Sequence, residues 1–265
     1  MRFSTISIVA LTTASLMVLC AEEQQAPAKA EEKAPPSSSS SSSSAPKKVY
    51  PPIRRFSAGG YFSYAPLQLM DKGSATATFT QKTATGTTTY ATTPQGGHFG
   101  GGGVVQFALT DRFAAAAALI VRREHFHTTS STTISGKTSS TDEFSSADLL
   151  ELPILARRYS KSRTEPGARW FIEAGPSMRW THNVRSSLQS TDTSNITTCC
   201  TENPSPLAHK IGAGVAVGGG YQFVDQFGIH VIPGVRYTRW FQPGFNNLSV
   251  RSNQNQVEAG VAITF

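Results

Sequence analysis

The last nine residues of the chain, VEAGVAITF, alternate strictly between two kinds of side chain. Val257, Ala259, Val261, Ile263 and Phe265 fall on one face, and the residues between them are small or polar. A period of two is the period of a β-strand, because successive side chains of a strand point to opposite sides. One side of this strand must therefore lie against an apolar environment, and the strand ends the chain on a bare aromatic residue.

The composition excludes several other classes of protein. Of the 265 residues, 38% are hydrophobic and 15% are charged. No run of about 18 apolar residues exists that could form a transmembrane helix. The net charge is +7, but no basic stretch is interleaved with aromatic residues as in a nucleic-acid groove. No nucleic acid is therefore expected as a partner, and the positive charge is expected to meet anionic lipid.

The N-terminal residues predict export from the cytoplasm. Arg2 is followed by the apolar run Ile6–Leu19, which is too short to span a bilayer as a helix. Residues 1–21 therefore predict a secretory signal peptide. Lipidation of Cys20 is the alternative, but that processing requires a small residue before the cysteine, and Leu19 is not small.

A low-complexity segment follows the predicted signal peptide. Residues 22–53 are rich in Pro, Ala and Ser and include the serine run 37–44. Such a composition cannot bury enough apolar surface to fold, so the segment predicts a disordered periplasmic linker. Residues 54–265 are then expected to form one folded domain.

Strand-like segments fill the rest of the chain and alternate with connections of two kinds. The connections 110–112 and 224–226 are tight and 160–167 is modest, whereas 66–97, 127–146, 183–206 and 241–254 are long and polar. Short turns on one side and long loops on the other are typical of an up-and-down transmembrane barrel. An even number of strands places both ends of the chain on the same side of the membrane. The predicted strands are 54–65, 98–109, 113–126, 147–158, 168–182, 207–222, 227–240 and 255–265.

The fifth segment supports this interpretation by its dimensions. Trp170 and Trp180 share the face that also carries Ile172, Ala174 and Met178. Ten residue steps at ~3.3 Å, tilted by roughly 40°, cover about 25 Å of membrane depth. The two tryptophans are thus spaced like the two aromatic girdles of a membrane barrel.

These features together resemble the small eight-stranded outer-membrane β-barrels, a superfamily that includes the transmembrane domain of outer-membrane protein A. The resemblance implies an all-β fold: an eight-stranded antiparallel up-and-down transmembrane β-barrel with a disordered N-terminal linker. It also implies a monomer in the bacterial outer membrane, in contact with outer-membrane lipid and inserted by the barrel-assembly machinery, with Phe265 closing the insertion signal. The family includes structural tethers, adhesion and serum-resistance proteins and a few lipid enzymes, so the resemblance is weak for activity.

Several charged residues occupy the alternate strand positions that are expected to face the barrel interior. Charges in so narrow an interior must pair, because their desolvation is costly. Arg236 and Glu258 are expected to pair directly. The structural interpretation is a salt-bridged plug in the outer half of the lumen, and the functional alternative is a gate or selectivity ring. The predicted members are Arg122, Glu124, Glu151, Arg179, Lys210, Arg236 and Glu258.

Two further arginines are expected to point outward at the external ends of their strands. Arg123 and Arg239 would lie at the level of lipopolysaccharide phosphates, which arginine binds in a bidentate manner. Ordinary snorkelling at the membrane interface explains the same placement.

Catalysis and cofactor binding receive little support from the sequence. His125 and His127 lie near hydroxyl residues, as in small barrels that deacylate lipid A, but Thr129 stands where a serine would be needed. Cys199 and Cys200 are adjacent and make a poor metal site alone. No enzyme, cofactor or metal is expected. The predicted role is structural or surface-interacting through loops 66–97 and 183–206, with a lipid-modifying enzyme or a small-solute pore as alternatives.

Overall fold

The computed structural model describes residues 54–265 except 68, 82–83, 97, 166, 193–195, 202–205, 226 and 249. The predicted signal peptide and linker lie outside the described residues. No helix in the described part of the chain is long and apolar enough to cross a membrane. The strands are β1 (Phe56–Tyr64), β2 (Gly73–Gln81), β3 (Ala84–Pro94), β4 (Phe99–Ala108), β5 (Phe113–Ile134), β6 (Lys137–Tyr159), β7 (Arg169–Thr191), β8 (Thr197–Thr201), β9 (Ile211–Val224), β10 (His230–Trp240) and β11 (Asn255–Thr264).

Eight of these strands close into a ring of antiparallel pairs. The order around the ring is β1, β4, β5, β6, β7, β9, β10, β11 and back to β1. The closing pair of β1 and β11 runs from Gly59 opposite Thr264 to Tyr64 opposite Ala259. The ring strands correspond to the eight predicted segments, so the predicted antiparallel up-and-down barrel is confirmed.

Apolar side chains face outward from the ring, and polar side chains face inward. Phe62 and Leu119 on the outer surface are 58% and 47% exposed, whereas the inward Arg122 and Glu258 are each 1% exposed. A soluble protein would place these residue types the other way round. The ring is therefore built to be surrounded by lipid.

Two tryptophans mark the edges of the apolar band on β7. Trp170 and Trp180 both point outward and stand partly exposed, as expected for the two girdles. Trp180 pairs with Leu150 on β6 and with Ile211 on β9. These two residues therefore mark the same edge of the apolar band on the neighbouring strands. Residues beyond this level lie outside the membrane-spanning segments.

Three ring strands continue far beyond the band and build a second region. β5, β6 and β7 have 22, 23 and 23 residues, whereas the other ring strands have between 9 and 14. The outer halves of β5, β6 and β7 are joined by β2, β3 and β8 in the order β2-β3-β5-β6-β7-β8. We call this region the extended sheet, its side of the molecule the extended end, and the opposite side, which holds Phe265, the terminal end.

The extended sheet corrects part of the sequence interpretation. Residues 66–97, 127–146 and 183–206 were expected to be loops, but each of them contributes strands to this sheet. Their polar composition suggests loops, but many of these residues are threonines, whose branched side chains favour extended backbone. Connection 241–254 remains irregular, apart from isolated bridges such as Met70 to Ser252.

Local backbone features shape the extended sheet. Ile134 pairs with Lys137, so Ser135 and Gly136 form a two-residue hairpin turn with φ values of 50° and 78°. Positive φ at both positions fits the twist of a hairpin and explains the glycine. A register shift between Ser146 and Asp148 forms an irregularity where the wall leaves the apolar band, and a bulge of this kind bends a strand.

Two apolar clusters occupy the barrel interior at different heights. The inner cluster lies toward the terminal end, and the cap cluster lies toward the extended end and takes residues from connecting segments as well as strands. The inner cluster contains Val104, Ala114, Ala118, Ile120, Tyr159, Phe171, Ile232 and Ala262, and the cap cluster contains Met70, Phe126, Ala147, Phe245 and Val250.

Candidate functional site in the barrel interior

A continuous chain of ion pairs begins beside the inner cluster and extends towards the cap cluster. Arg157 Nε donates to Glu173 Oε2 at 2.6 Å, and Arg236 Nε donates to Glu173 Oε1 at 3.2 Å. Arg236 Nη1 reaches Glu258 Oε1 at 2.9 Å, and Arg122 Nη2 reaches Glu258 Oε2 at 3.1 Å. Each glutamate thus bridges two arginines, which compensates charges that are almost fully buried.

Glycines make room for this chain where it passes other strands. Gly218 on β9 pairs with Glu173 on one side and Arg236 on the other. A Cβ atom at Gly218 would lie 2.6 Å from the Val235 carbonyl oxygen and 3.2 Å from Glu173 Oε1. At Gly100 a Cβ atom would lie 3.1 Å from the guanidinium carbon of Arg122. The strands therefore contain glycine partly because the large charged side chains need the space that a Cβ atom would occupy.

A second charged group lies closer to the extended end. Arg179 Nη2 donates to Glu151 Oε1 at 2.9 Å and also contacts Gln256. Gln256 Nε2 donates to Glu151 Oε2 at 3.1 Å, and its Oε1 accepts from Trp240 Nε1 at 2.9 Å. The Arg179 guanidinium also lies 4.1 Å from the Trp240 ring centroid, a cation–π distance.

Two predicted members of the network differ from the rest. Glu124 is buried in the interior, and its Oε1 has no hydrogen-bond partner among the described residues. Lys210 does not belong to the interior: it is exposed, and its Nζ lies 5.7 Å from the outward Trp180 ring. It precedes Ile211, the first residue of β9, so the alternation of that strand does not fix its direction.

Two important members were missing from the sequence prediction. Arg157 lies an even number of residues from Glu151 on β6, and Glu173 lies an even number from Arg179 on β7. Strand alternation alone would therefore have predicted that both side chains face the interior. With them the interior network has equal numbers of arginines and glutamates. It contains the arginines 122, 157, 179 and 236 and the glutamates 124, 151, 173 and 258.

Arg123 already has an intramolecular anion as its partner. Its Nε and Nη2 donate to the two oxygens of Asp148 at 2.6 and 3.3 Å, and Asn183 Nδ2 donates to Asp148 Oδ2 at 2.7 Å. These hydrogen bonds lower the pKa of the Asp148 carboxyl group to about 2. A phosphate would have to compete with this carboxylate for Arg123.

Arg239 occupies a more open position at the extended end of β10. Its Nη1 donates to Asn255 Oδ1 at 2.7 Å, an oxygen that also accepts from Tyr237 at 2.7 Å. Arg239 and Arg251 both line a pocket of about 610 Å³. Arg239 thus has a neutral partner, whereas Arg123 is paired with a carboxylate.

The two histidines with predicted catalytic potential point to the outside of the barrel. His127 Nε2 lies 3.1 Å from Asp142 Oδ1 and its ring stacks on Phe144 at 4.3 Å. The Thr129 hydroxyl donates to the Ala91 carbonyl at 3.4 Å rather than to a histidine. Within the described ranges no group of three or more His, Cys, Asp or Glu residues is placed to hold a metal ion.

Phe265 ends the closing strand of the ring. Its amide donates to the Ala58 carbonyl at 3.1 Å, and its carbonyl accepts from the Ala58 amide at 3.3 Å. The ring of Phe265 is largely exposed at the terminal end of the apolar outer surface. The residue therefore contributes directly to the contact between the last strand and the first.

A comparison with protein-family models agrees with this architecture. The family model described as outer membrane protein beta-barrel domain matches residues 41–249. The crystal structure of the outer membrane protein OprG from Pseudomonas aeruginosa matches with 10% identity and a TM-score of 0.39, over 79% of this chain and 93% of that chain. No curated protein matches the chain. The chain belongs to the outer membrane protein beta-barrel domain family and is a transmembrane β-barrel of the bacterial outer membrane.

Proposed function

We propose that this protein is a closed barrel with a structural and surface-interacting role, and that it is neither a pore nor an enzyme. The observation that carries the proposal is the chain of ion pairs from Arg157 to Arg122, which crosses the interior from beside the inner cluster towards the cap cluster. An eight-stranded barrel has an interior just wide enough for its own side chains. Side chains that already bond to one another leave little space for a solute.

The ion pairs cross the interior rather than follow one wall. Arg122 on β5 reaches Glu258 on β11, and these two strands are separated by β1 and β4 in the ring. Arg157 on β6 joins the same chain through Glu173 on β7. Connections of this kind tie opposite walls together, which supports both closure and rigidity.

The order of residues along β5 shows what a solute would meet. Ile120 belongs to the inner cluster, Arg122 and Glu124 to the charged layer, and Phe126 to the cap cluster. A polar solute would have to separate two apolar layers, and an apolar solute would have to displace paired charges. Either step is costly in free energy.

The extended sheet supports a role at the cell surface. An even number of strands places both chain ends on one side of the membrane, which for this family is the periplasm. The extended end then faces the outside, and its strands carry mostly threonine and serine side chains. We propose that this sheet is the part of the protein that meets the exterior.

The outward histidines do not form a convincing hydrolytic site. His127 has an acidic neighbour in Asp142, but within the described ranges no hydroxyl group donates to its ring. Acyl transfer by such a triad needs a nucleophile bonded to the histidine. This geometry supports the proposal that the protein has no catalytic role.

A solute-uptake assay tests the closed interior. Liposomes that contain the full-length protein should swell in isotonic arabinose no faster than empty liposomes. The variant in which Arg236 and Glu258 are both replaced by Ala, which removes the centre of the ion-pair chain, is the matched control and should swell faster if it folds. Rapid swelling with the unaltered protein would refute the closed barrel.

A trimmed protein tests the surface role separately. Phe126 and Ser145 already face each other, so Asn-Gly in place of residues 127–144 would close a shorter hairpin. A strain that lacks the protein would be complemented with the full or the trimmed chain, and detergent sensitivity and cell aggregation would be measured. We expect the trimmed barrel to reach the membrane but to leave the surface phenotype uncorrected. Full correction by the trimmed chain would show that the extended sheet has no such role.

A further inference from the structure

A row of polar side chains lies at the terminal end of the interior, outside the charged network. Arg169, Gln222, His230 and Thr264 lie on the consecutive ring strands β7, β9, β10 and β11. All of them are at most 3% exposed. We call these residues the terminal polar row. It lies beyond the inner cluster, at the mouth through which the interior meets the terminal side.

Arg169 is the centre of this row. Its Nε and Nη2 both donate to Gln222 Oε1, at 3.2 and 2.9 Å. Its guanidinium carbon lies 3.7 Å from the ring centroid of Tyr159, a close cation–π contact. The remaining terminal nitrogen, Nη1, takes no part in these bonds.

Arg169 differs from the other interior arginines in having no acidic partner. Arg122, Arg157, Arg179 and Arg236 each form a salt bridge, whereas Arg169 forms none within the described part of the chain. A buried guanidinium without a counterion is costly, and a neutral amide oxygen compensates only part of that cost. The positive charge of Arg169 is therefore not compensated by a side-chain carboxylate of the described residues.

Gln222 supplies a second donor beside this charge. Because its Oε1 accepts from Arg169, its orientation is fixed and its Nε2 is left to bond elsewhere. That Nε2 is buried, and it has no acceptor among the described residues. A buried amide donor without an acceptor is rare in folded proteins.

His230 adds a third group to the same row. Its Nδ1 lies 3.4 Å from the Thr264 hydroxyl oxygen, and the hydroxyl can donate to it. In that arrangement the other ring nitrogen carries the proton and becomes a donor. The row therefore offers several donors around one positive charge and no carboxylate.

We propose that the terminal polar row binds a small anion from the periplasmic solution, held between the Arg169 guanidinium and Gln222 Nε2. The ligand class is a small inorganic anion or a small carboxylate. Either would bring a negative charge beside Arg169 and an acceptor for the Gln222 Nε2 donor. The anion joins β7 to β9 at the base of the barrel and compensates the charge of Arg169. It does not pass through the barrel, because the inner cluster and the ion-pair chain lie beyond it.

Nuclear magnetic resonance of the full-length protein in detergent micelles tests this site directly. The probes are sodium chloride, sodium phosphate and sodium acetate, each exchanged against sodium gluconate at constant ionic strength. We expect a saturable shift of the Gln222 side-chain amide and of Arg169 Nε–H with at least one probe. The probe that saturates at the lowest concentration identifies the kind of anion.

Two variants separate binding from general screening by salt. Arg169→Gln should abolish the saturable shift of the Gln222 amide. Arg163→Gln is the matched control, because Arg163 is another cation near the terminal end but is bonded to Asp111 at 2.9 Å. It should retain the full shift. Equal responses in both variants would overturn the proposal in favour of screening.

A third variant keeps the test valid if Arg169→Gln does not fold. Gln222→Glu places a carboxylate at the oxygen that already accepts two bonds from Arg169. This built-in anion should replace the bound one, so the melting temperature should become independent of the probe anions. In the unaltered protein the melting temperature should rise by a few degrees and, above the dissociation constant, should keep rising with the logarithm of the anion concentration. Absence of any anion-specific response in the unaltered protein would mean that water alone occupies the row.

Discussion

The barrel interior and the extended sheet use the same alternating backbone but differ in what holds their side chains. In the interior, charged groups bond across the barrel to strands that are not neighbours, as Arg122 does with Glu258. In the extended sheet, hydroxyl groups bond to the directly opposite residue, as Thr88 does with Thr132 at 2.9 Å. The interior is therefore specified by long-range partners, and the sheet by local pairing.

This difference predicts different tolerance to change. A lost partner in the interior leaves a buried charge without compensation, which costs far more than the pair itself contributes. A lost threonine hydroxyl at a cross-strand pair in the sheet changes stability by less than about 1 kcal/mol. Mutations in the two regions can thus test whether the stability of each region depends mainly on buried charge pairs or on local cross-strand pairs.

The largest expected effect concerns closure of the ring. Deletion of Phe265 removes two backbone hydrogen bonds to Ala58 and the aromatic end of the apparent insertion signal. We expect the shortened chain to stall in the periplasm and be degraded, as measured by immunoblots of membrane fractions. The control is the trimmed chain, which lacks residues 127–144 of the extended sheet but keeps Phe265. It should insert normally. Normal outer-membrane levels without Phe265 would show that the signal lies elsewhere.

A large effect is also expected at the centre of the interior network. Glu258→Gln weakens the contacts to Arg122 and Arg236 at once and should lower the free energy of unfolding by about 3–5 kcal/mol. Urea titration in micelles would measure it. The double variant with Arg236→Met should lose less than the sum of the two single changes, because neither group is then left alone. A strictly additive result would mean that the two residues act independently.

A smaller effect should depend on depth in the membrane. Ala174 lies on the outward face of β7 between the two tryptophans, and Met178 lies on the same face next to Trp180. Ala174→Arg should cost about 2–4 kcal/mol near the middle of the bilayer, and Met178→Arg should cost less because its charge can reach the interface. The free energies of unfolding in lipid vesicles would show this order. Equal costs would contradict the assignment of the band.

The extended sheet should respond weakly to the loss of one hydroxyl pair. The Thr92 and Thr128 hydroxyl oxygens lie 3.1 Å apart. Thr128→Val should change the free energy of unfolding by roughly 0.2–1 kcal/mol. Chemical denaturation monitored by tryptophan fluorescence would detect this difference. A loss as large as that of Glu258→Gln would remove the distinction between the two regions.

The smallest effect should appear as a pH dependence at the base of the extended sheet. The pKa of Asp148 is lowered to about 2 in the folded protein, so its contribution is present above the unfolded pKa near 4 and is lost as the pH falls towards 2. Asp148 lies at the surface beside Arg123, whose side chain is 62% exposed, so solvent screens the pair and Asp148→Asn should cost less than about 1 kcal/mol at pH 7. Denaturation at pH 7 and at pH values below 2 should show that the difference between variant and parent disappears in acid.

The two regions also differ in how far their sequences revealed them. Alternation was sufficient to find the eight ring strands and to place Arg236 and Glu258 inward on adjacent strands, where they lie 2.9 Å apart. It was not sufficient to show that Arg122 reaches Glu258, because partners across the barrel depend on strand tilt and register. Lys210 was misplaced because the alternation was extended past the start of β9.

The extended sheet was hidden by its composition. The stretch from Gly86 to Thr93 contains mostly threonine, with polar groups on both faces of the strand. Without an apolar face, period two cannot be recognised from hydrophobicity, and a polar strand resembles a loop. The β-propensity of threonine was the signal that could have distinguished them.

We propose that paired charges and apolar clusters close the barrel interior. Planar-bilayer recording on the intact protein tests it most directly, with Glu258→Gln as the paired variant. The account predicts no steady conductance from the unaltered barrel. A large and stable conductance carried by the intact barrel, and altered by Glu258→Gln, would contradict it and show that the ion pairs line a pore.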